Sequence, residues 1–184
     1  MAADAWPQRG PSTSAFLDGP PAPVAPAVIA RDTEGHVTIR AIKVAEPLVL
    51  DGRLDERLYT DNEPFGDFVQ QEPQEGEPAT EKTQVWIGYD DNALYIGARL
   101  FESDSSKRVM SDMRRDASNL YNNDHLAVML DTFYDRRNGY VFVANAQGGK
   151  IDAQIANENA NSDWNTIWET KAANFEGGWT IEFR

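Results

Sequence analysis

Cysteine is absent from this chain of 184 residues, which excludes disulfide bridges and thiolate metal sites. Long apolar runs are missing too, and none approaches the roughly 20 residues that a transmembrane helix needs. The first stretch lacks the positively charged start and apolar core of a secretory signal. Basic residues are scarce: 17 Lys and Arg stand against 30 Asp and Glu, and the net charge of −13 argues against a nucleic-acid partner.

The residues that are present favour one folded domain with a tail. Hydrophobic residues make up 41% of the sequence and aromatic residues 10%, which is enough for a packed core. A Pro/Ala tract at residues 19–26 predicts an extended, solvated spacer, because proline removes backbone donors and fixes φ. We therefore expect residues 1–35 to be disordered and residues 36–184 to form the domain.

Two strand–turn–strand blocks dominate the pattern. The first covers residues 83–101 and turns at 90–92, and the second covers residues 126–145 and turns at 134–139. In both blocks apolar side chains recur at every second position, which places them on one face of a sheet. Asp, Asn and Gly suit the backbone of such turns. The pattern predicts an all-β fold, an antiparallel β-sandwich of jelly-roll or immunoglobulin-like type.

Shorter elements are expected around these blocks. A first strand should begin near residue 36, and a helical turn carrying Leu54 and Leu58 should be capped by Asp51 or Asp55. Between the two blocks, a second helical turn should start at residues 104–106. Its buried face should carry Val109 and Met113.

The last strand is predicted to follow a hairpin turn at residues 176–178, with Trp179, Ile181 and Phe183 pointing inward. Its alternation still runs at Arg184, with no turn behind it. We therefore expect this strand to be an unpaired edge and the chain to be a fragment, truncated at its C-terminal end.

Seven motifs follow one another along the chain, namely residues 50–56 (LDGRLDE), 78–83 (PATEKT), 89–96 (YDDNALYI), 113–116 (MRRD), 123–124 (ND), 131–139 (DTFYDRRNG) and 177–182 (GGWTIE). In this order they resemble the family 9 carbohydrate-binding module, in the version found at the N-terminus of bacterial outer-membrane proteins ahead of a β-barrel. The resemblance implies a β-sandwich that binds poly- or oligosaccharide.

The resemblance also implies where a sugar would bind. The family clamps a terminal sugar between two aromatic rings, and Tyr121, three residues before Asp124, matches the first ring. The second ring falls in a part of the fold that this chain lacks. Asn145 matches a ligand-binding Asn, whereas Ala127 and Val143 replace an acidic and a basic residue. Tyr121 suits a ligand platform and an ordinary half-buried loop position equally.

Trp164 is the other aromatic candidate for carbohydrate binding, because it lies beside a polar loop and one of the pair Trp164 and Trp168 is expected to be exposed. Burial is the expectation for Trp168, since tryptophan is usually part of a core. Trp86 and Trp179 lie in strand patterns and are assigned to packing.

Metal binding has only weak candidates. The resemblance implies structural calcium-like ions, for which Asp90, Asp91 and Asp152 could supply oxygen ligands. Their spacing matches no EF-hand loop, and turn formation explains Asp90 and Asp91 without an ion. His36 and His125 stand apart from any ligand motif, and we assign neither to a metal or to proton transfer.

Residues 131–137 form the motif most specific to the barrel-linked version. Arg136 and Arg137 should pair with nearby carboxylates such as Asp131 or Asp116 and lock a loop. Contacts with the barrel or with an anionic ligand are the alternatives.

Three functions from different classes fit the sequence. The first is a non-catalytic carbohydrate-binding module of a larger cell-envelope protein, in the periplasm or outer membrane of a Gram-negative bacterium, with a role in polysaccharide metabolism and a C-terminal β-barrel domain as its partner. The second is a structural or gating domain of that barrel, without a sugar ligand. The third is a glycoside hydrolase, whose chemistry needs two carboxylates.

Two observations would separate these functions. No Ser/His/Asp context, phosphate loop or zinc motif is present, so catalysis is the least favoured of the three. Exposed rings at Tyr121 and Trp164 would favour the binding module. A buried Tyr121, with an exposed apolar face along residues 179–183, would favour the barrel-associated domain.

Overall fold

The computed structural model describes residues 18–184, which form eleven strands and one short α-helix. The strands are β1 (Ile29–Arg31), β2 (Val37–Ile39), β3 (Ile42–Lys43), β4 (Thr83–Tyr89), β5 (Leu94–Phe101), β6 (His125–Leu130), β7 (Gly139–Asn145), β8 (Lys150–Ala156), β9 (Asn159–Asn161), β10 (Thr170–Phe175) and β11 (Gly178–Phe183). The helix α1 is Arg57–Thr60, and two 3-10 helices cover Ser105–Lys107 and Ser118–Asn122. Among these residues no helix is long and apolar enough to cross a membrane.

The strands form two main sheets and a small hairpin. A five-stranded sheet has the order β10-β11-β5-β4-β3, a four-stranded sheet has the order β6-β7-β8-β9, and β1 pairs with β2. All pairs are antiparallel except the short pair of β3 with β4. The predicted all-β antiparallel sandwich is therefore confirmed.

Both predicted hairpins form, because their turns close with local hydrogen bonds. In the turn between β4 and β5, a carboxylate oxygen of Asp90 accepts the backbone N–H groups of Asn92 and Ala93, both at 2.7 Å. In the turn between β6 and β7, Asp131 accepts the N–H of Arg136 at 2.7 Å. Such Asx turns replace backbone ladder bonds where the chain reverses.

The main core lies between the two sheets. Its members include apolar residues of β4, β5, β6, β7 and β11 together with Trp168, among them Val85, Ile96, Ala98, Leu126, Val128, Phe142, Ala144, Trp168, Trp179, Ile181 and Phe183. A second cluster covers the opposite face of the five-stranded sheet, where Leu48, Leu54, Leu58 and Tyr59 pack on Trp86 and Tyr95. The five-stranded sheet is therefore buried on both faces, which explains why Trp86 and Trp179 are core residues, as predicted.

The last strand has a partner on each side. β11 lies between β10 and β5, with Ile181 opposite Ala172 on one side and Ala98 on the other, and every residue of the strand is buried. The predicted unpaired edge is wrong, because the alternation of a strand reveals its faces but not its neighbours. That the chain is a fragment stays a prediction.

The first strand begins earlier than the predicted domain boundary. β1 lies within residues 18–35, a segment for which the sequence predicted no regular structure. Asp32 closes its hairpin with β2 by accepting the N–H groups of Glu34 and His36, both at 2.9 Å. Upstream, the carbonyl of Pro20 accepts a hydrogen bond from the Thr38 hydroxyl. Residues 1–17 of the predicted spacer lie outside the described residues.

The predicted helical turns form in part. α1 buries Leu58, but its N-cap residue is Glu56, and that side chain makes no capping bond. Asp51 and Asp55 therefore do not cap it, and Asp51 instead accepts the N–H of Arg53 at 2.8 Å. Asp104 does start a helical turn, because its side chain accepts the N–H of Ser106.

The predicted buried face of that second turn is wrong. Val109 and Met113 are both exposed, because the helix ends at Lys107 and the chain then runs on as irregular loop. β8 was not predicted, although Ile151, Ala153 and Ile155 alternate within it.

Candidate functional site

The surface of the four-stranded sheet that points away from the main core carries Asn145 and lies next to Tyr121. Because side chains alternate along a strand, the neighbours of the core residues in β6, β7 and β8 point away from the core. They form cross-strand rows, namely His125 opposite Asn145, Ala127 opposite Val143 and Ile151, and Met129 opposite Val141 and Ala153. We call this surface the outer face.

One side of the outer face is covered and the other is open. The 3-10 helix Ser118–Asn122 places Leu120, which is fully buried, on Val143 and Ile151. This helix does not cover β6, where Ala127 is exposed and Met129 keeps 69% of its surface. The open part of the outer face therefore follows β6.

Tyr121 stands at one end of this open part. It follows Leu120 directly and is 51% exposed, and its ring meets the ring of His125 edge-on, with the centroids 5.9 Å apart. His125 Nδ1 lies 2.7 Å from the backbone carbonyl oxygen of Asn123, which can only accept. In the neutral ring Nδ1 therefore carries the proton, and Nε2 is an acceptor.

The two polar candidates have different surroundings. Asp124 is exposed, and one of its carboxylate oxygens accepts the N–H of Val109 at 2.6 Å. Asn145 is fully buried: its amide donates to the carbonyl of Asp112 at 2.7 Å and accepts the N–H of Gly149 at 2.9 Å. The Asn145 amide therefore holds the turn that leads into β8 and is not free to meet a ligand.

Trp164 lies on the other side of the same sheet. Its ring packs on Tyr140, with the centroids 4.9 Å apart, and it contacts Phe142 in an edge arrangement at 6.4 Å. Tyr140 and Phe142 face the main core, opposite to the face that carries His125. The structure therefore does not bring Tyr121 and Trp164 together. Trp168 is buried as predicted and contacts Phe142 and Phe183.

Comparison with known proteins bears on the fold. No family model and no curated protein matches the sequence. Similar solved structures include a carbohydrate binding module family 9 from Caldicellulosiruptor kristjanssonii in complex with cellotriose, with a TM-score of 0.51 at 17% identity. They also include the same kind of module from that organism in complex with glucose, with a TM-score of 0.51 at 19% identity.

The fold is that of a family 9 carbohydrate-binding module. The similarity covers 78% of this chain, and it spans 64% of the cellotriose-bound chain and 67% of the glucose-bound chain. The chain thus matches about two thirds of the length of these modules.

Within this family 9-like sandwich, the three rows of the outer face contain no Asp, Glu, Lys or Arg. Ala127 is exposed and Val143 is fully buried at the positions where the resemblance places an acidic and a basic residue. Met129 and Val141 were not predicted to belong to this surface, and His125 was considered only as a metal ligand or a base. The alternation of β6 was the available signal, because His125, Ala127 and Met129 all fall opposite the core positions.

The metal candidates are occupied by hydrogen bonds and ion pairs. Asp90 accepts two backbone N–H groups and the Tyr95 hydroxyl, and Asp91 lies 2.9 Å from the Lys43 amine. Asp152 is fully buried, 2.5 Å from the guanidinium of Arg115. Within residues 18–184, no group of three or more Asp, Glu or His side chains is placed to hold a metal.

The arginines of the 131–137 motif form ion pairs, but with other partners than predicted. Arg136 lies 2.6 Å from Asp18, and Arg137 lies 3.3 Å from Glu158. The Asp131 carboxylate instead accepts hydrogen bonds from backbone N–H groups of its own turn.

Glu182, the carboxyl group whose pKa would suit acid catalysis, does not lie on the outer face. Burial raises the pKa of Glu182 to about 7, a value typical of general acids. Glu182 is 1% exposed, however, and lies in β11 of the other sheet beneath Tyr59. Arg114 holds the pKa of Asp112 below its usual range, so that carboxyl is a structural anion.

Proposed function

We propose that this protein is a non-catalytic carbohydrate-binding module that binds poly- or oligosaccharide at the outer face, next to Tyr121. The half-exposed Tyr121 ring, placed beside His125 at the end of the apolar rows of the outer face, is the observation that carries the proposal. The fold supports it, because the similar modules are in complex with cellotriose and glucose.

The chemistry of the surface suits a sugar. A sugar ring presents a flat patch of C–H groups that packs on an aromatic ring, while its hydroxyl groups need hydrogen-bond partners at the edge. Tyr121 supplies the ring. Nε2 of His125 is an acceptor beside it. The exposed carboxylate of Asp124, which precedes His125 in the chain, is a further acceptor. The buried Asn145 contributes by holding the chain that supports the site.

The wider context is part of the proposal and rests on the sequence motifs. We place the module in a larger cell-envelope protein of a Gram-negative bacterium, joined to a C-terminal β-barrel domain and serving polysaccharide metabolism. Fractionating cells that produce the whole gene product would test this, and recovery of the protein only from the cytoplasmic fraction would contradict it.

The structural or gating alternative has less support. It required a buried Tyr121 together with an apolar face exposed along residues 179–183. Tyr121 is half-exposed, and β11 is covered on both sides. Both observations favour a module with a ligand over a domain that serves only as a structural part.

Calorimetry and affinity electrophoresis with cellotriose, glucose, xylan and insoluble cellulose test the proposal. We expect the parent protein to bind at least one of these saccharides and Tyr121→Ala to lose that binding. Tyr89→Ala is the matched control, because Tyr89 is also an exposed tyrosine but lies at the end of β4. If the parent binds no saccharide, the proposed function is wrong.

A further inference from the structure

We propose that the outer side of the five-stranded sheet carries a second site, a pocket that binds an acidic sugar through Arg53 and Arg99. The ligand class is a sugar unit that bears a carboxylate or a phosphate group. That the anion belongs to a sugar rests on the proposed function, whereas the anion site rests on the two arginines. Two unpaired guanidinium groups, two aromatic rings and a lining without carboxylates support it.

The floor of the pocket is formed by β5 and β11, which have a neighbouring strand on each side. Arg99 lies between Gln84 of β4 and Thr180 of β11 in one cross-strand row, and alternation points this row away from the main core. No further strand can enter the floor, because β5 is flanked by β4 and β11, and β11 by β10 and β5. Residues 52–54 form one wall, which the Thr180 hydroxyl fixes by donating to the carbonyl of Gly52 at 2.6 Å.

Two aromatic rings form the opposite wall. Phe101 and Phe175 flank Gly178 in the next row of the same side, and their rings meet edge-on with the centroids 5.5 Å apart. A Cβ at position 178 would lie 2.7 Å from the Phe175 ring, so the glycine allows the rings to close over the sheet. The pocket encloses about 410 Å³, a volume typical of small-molecule sites, and its rings offer apolar surface to the C–H groups of a sugar.

Arg53 and Arg99 differ from the other arginines that the structure describes. Within residues 18–184, every other arginine side chain is hydrogen-bonded or ion-paired, whereas these two have neither kind of partner. Arg99 is half-buried, and its guanidinium lies over the Trp86 ring, 5.6 Å from the centroid. This stacking holds the group at the floor and uses none of its N–H donors. Such a fork matches the oxygens of a carboxylate or a phosphate.

The surroundings of the two arginines leave the pocket to an external anion. Among residues 18–184, no Asp or Glu belongs to its lining, and Asp55, two residues after Arg53, borders a separate cleft. Carboxylates beside the pocket have other partners, namely Asp51 with the N–H of Arg53, Glu102 with Arg108, and Glu182 with Tyr59 and the N–H of Gly52. In a chain of net charge −13, two arginines without an acidic partner form a local site of opposite sign.

Matched ligands test the pocket by calorimetry at low salt. Glucuronate and glucose 6-phosphate carry an anionic group at the position where glucose has a hydroxyl group, and acetate and inorganic phosphate carry the anion without the ring. We expect at least one acidic sugar to bind about tenfold or more tightly than the ring-free anions, because its ring packs on the two phenylalanines. The tighter of the two sugars identifies the anionic group. Added NaCl should weaken this binding by screening the arginines.

Variants place the anion at the two arginines. We expect Arg53→Gln and Arg99→Gln each to weaken binding of the acidic sugar by about tenfold or more, since each removes a charged hydrogen-bond donor. Arg99→Lys keeps the charge without the fork and should also bind more weakly than the parent. Arg57→Gln is the matched control, because Arg57 is an exposed arginine of α1 that pairs with Asp61. Circular dichroism and the urea midpoint check that each variant is folded.

The outcomes separate this inference from the proposed function. In Tyr121→Ala, binding of the acidic sugar should persist while binding of neutral saccharides is lost. The inference is overturned, and the proposed function stands, if neither acidic sugar binds or if neither binds more tightly than acetate and inorganic phosphate. Equal losses in Arg99→Gln and Arg57→Gln would overturn it as well. If the parent binds the acidic sugar at the arginines but no neutral saccharide, the outer-face site of the proposed function fails and the inference stands.

Discussion

The hydroxyl of Tyr59 donates a hydrogen bond to the carboxylate of Glu182 at 3.0 Å and so joins α1 to the last strand across 123 residues of sequence. The second carboxylate oxygen accepts the N–H groups of Gly52 at 2.8 Å and Asp51 at 3.1 Å. Glu182 thus fastens the segment that covers the outer side of the five-stranded sheet. The carboxylate is buried, so this attachment depends on its protonation state.

Stability should depend on the protonation of Glu182. Burial raises its pKa from 4.5 to about 7 in the folded protein, so between these values the folded state binds a proton that the unfolded state has lost. Protonated Glu182 therefore contributes on the order of 3 kcal/mol to the free energy of unfolding. This contribution is fully present below about pH 4.5 and is lost as pH rises through about 7. Urea unfolding from pH 4.5 to 8 measures it.

Glu182→Gln is the control for this pH dependence, because glutamine keeps the shape and does not titrate. We expect the stability difference between parent and variant to shift in favour of the variant as pH rises. The pKa of Asp112 is lowered from its ordinary value of 3.8, so the ionised Asp112 stops stabilising the fold only below pH 3.8. That loss lies outside the range from pH 4.5 to 8. Parallel pH curves for parent and variant would show that Glu182 does not titrate as stated.

Arg115→Gln should destabilise the protein strongly. The Asp152 carboxylate is fully buried 2.5 Å from the Arg115 guanidinium, and removing the arginine leaves a buried charge without its ion-pair partner. The expected loss is about 3–5 kcal/mol. Arg137→Gln is the control, because Arg137 and Glu158 are both exposed and such pairs contribute about 0–1 kcal/mol. Equal midpoints in urea for the two variants would contradict this account.

Asn145→Ala should lower stability and not act on sugar binding directly. The substitution removes the partners of the Asp112 carbonyl and the Gly149 N–H, both at a buried position. Unsatisfied buried groups cost about 1–3 kcal/mol each. We expect a loss of a few kcal/mol in urea unfolding, with oligosaccharide affinity retained by the folded fraction. A stable variant that no longer binds would make Asn145 a ligand residue after all.

Trp164→Ala separates the two aromatic candidates. Trp164 packs on Tyr140, on the side of the sheet opposite to Tyr121, so its truncation should reduce stability and leave binding at the outer face unchanged. The loss should be smaller than the roughly 3–5 kcal/mol of Trp168→Ala, because Trp168 is buried and Trp164 only half-buried. Calorimetry with the best saccharide ligand measures the affinity. Lost binding in folded Trp164→Ala would place the sugar at Trp164 instead.

The sequence by itself determined the hairpins of this protein. Alternation within β4–β5 and β6–β7 fixes which side chains share a face, and Asp90 and Asp131 close the turns with their own backbone neighbours. These interactions are local, so a short stretch of sequence is sufficient to predict them. The motifs that pointed to a family 9-like sandwich are of the same local kind.

Only the tertiary structure decided how the hairpins combine. β11 pairs with β5, about 80 residues earlier, and this choice depends on the packing of the whole core. The same packing places Tyr121 on the outer face and Trp164 on the inner side, although both were aromatic candidates for carbohydrate binding. Alternation tells two faces apart but does not say which of them another layer will cover, because burial is a property of the assembled sandwich.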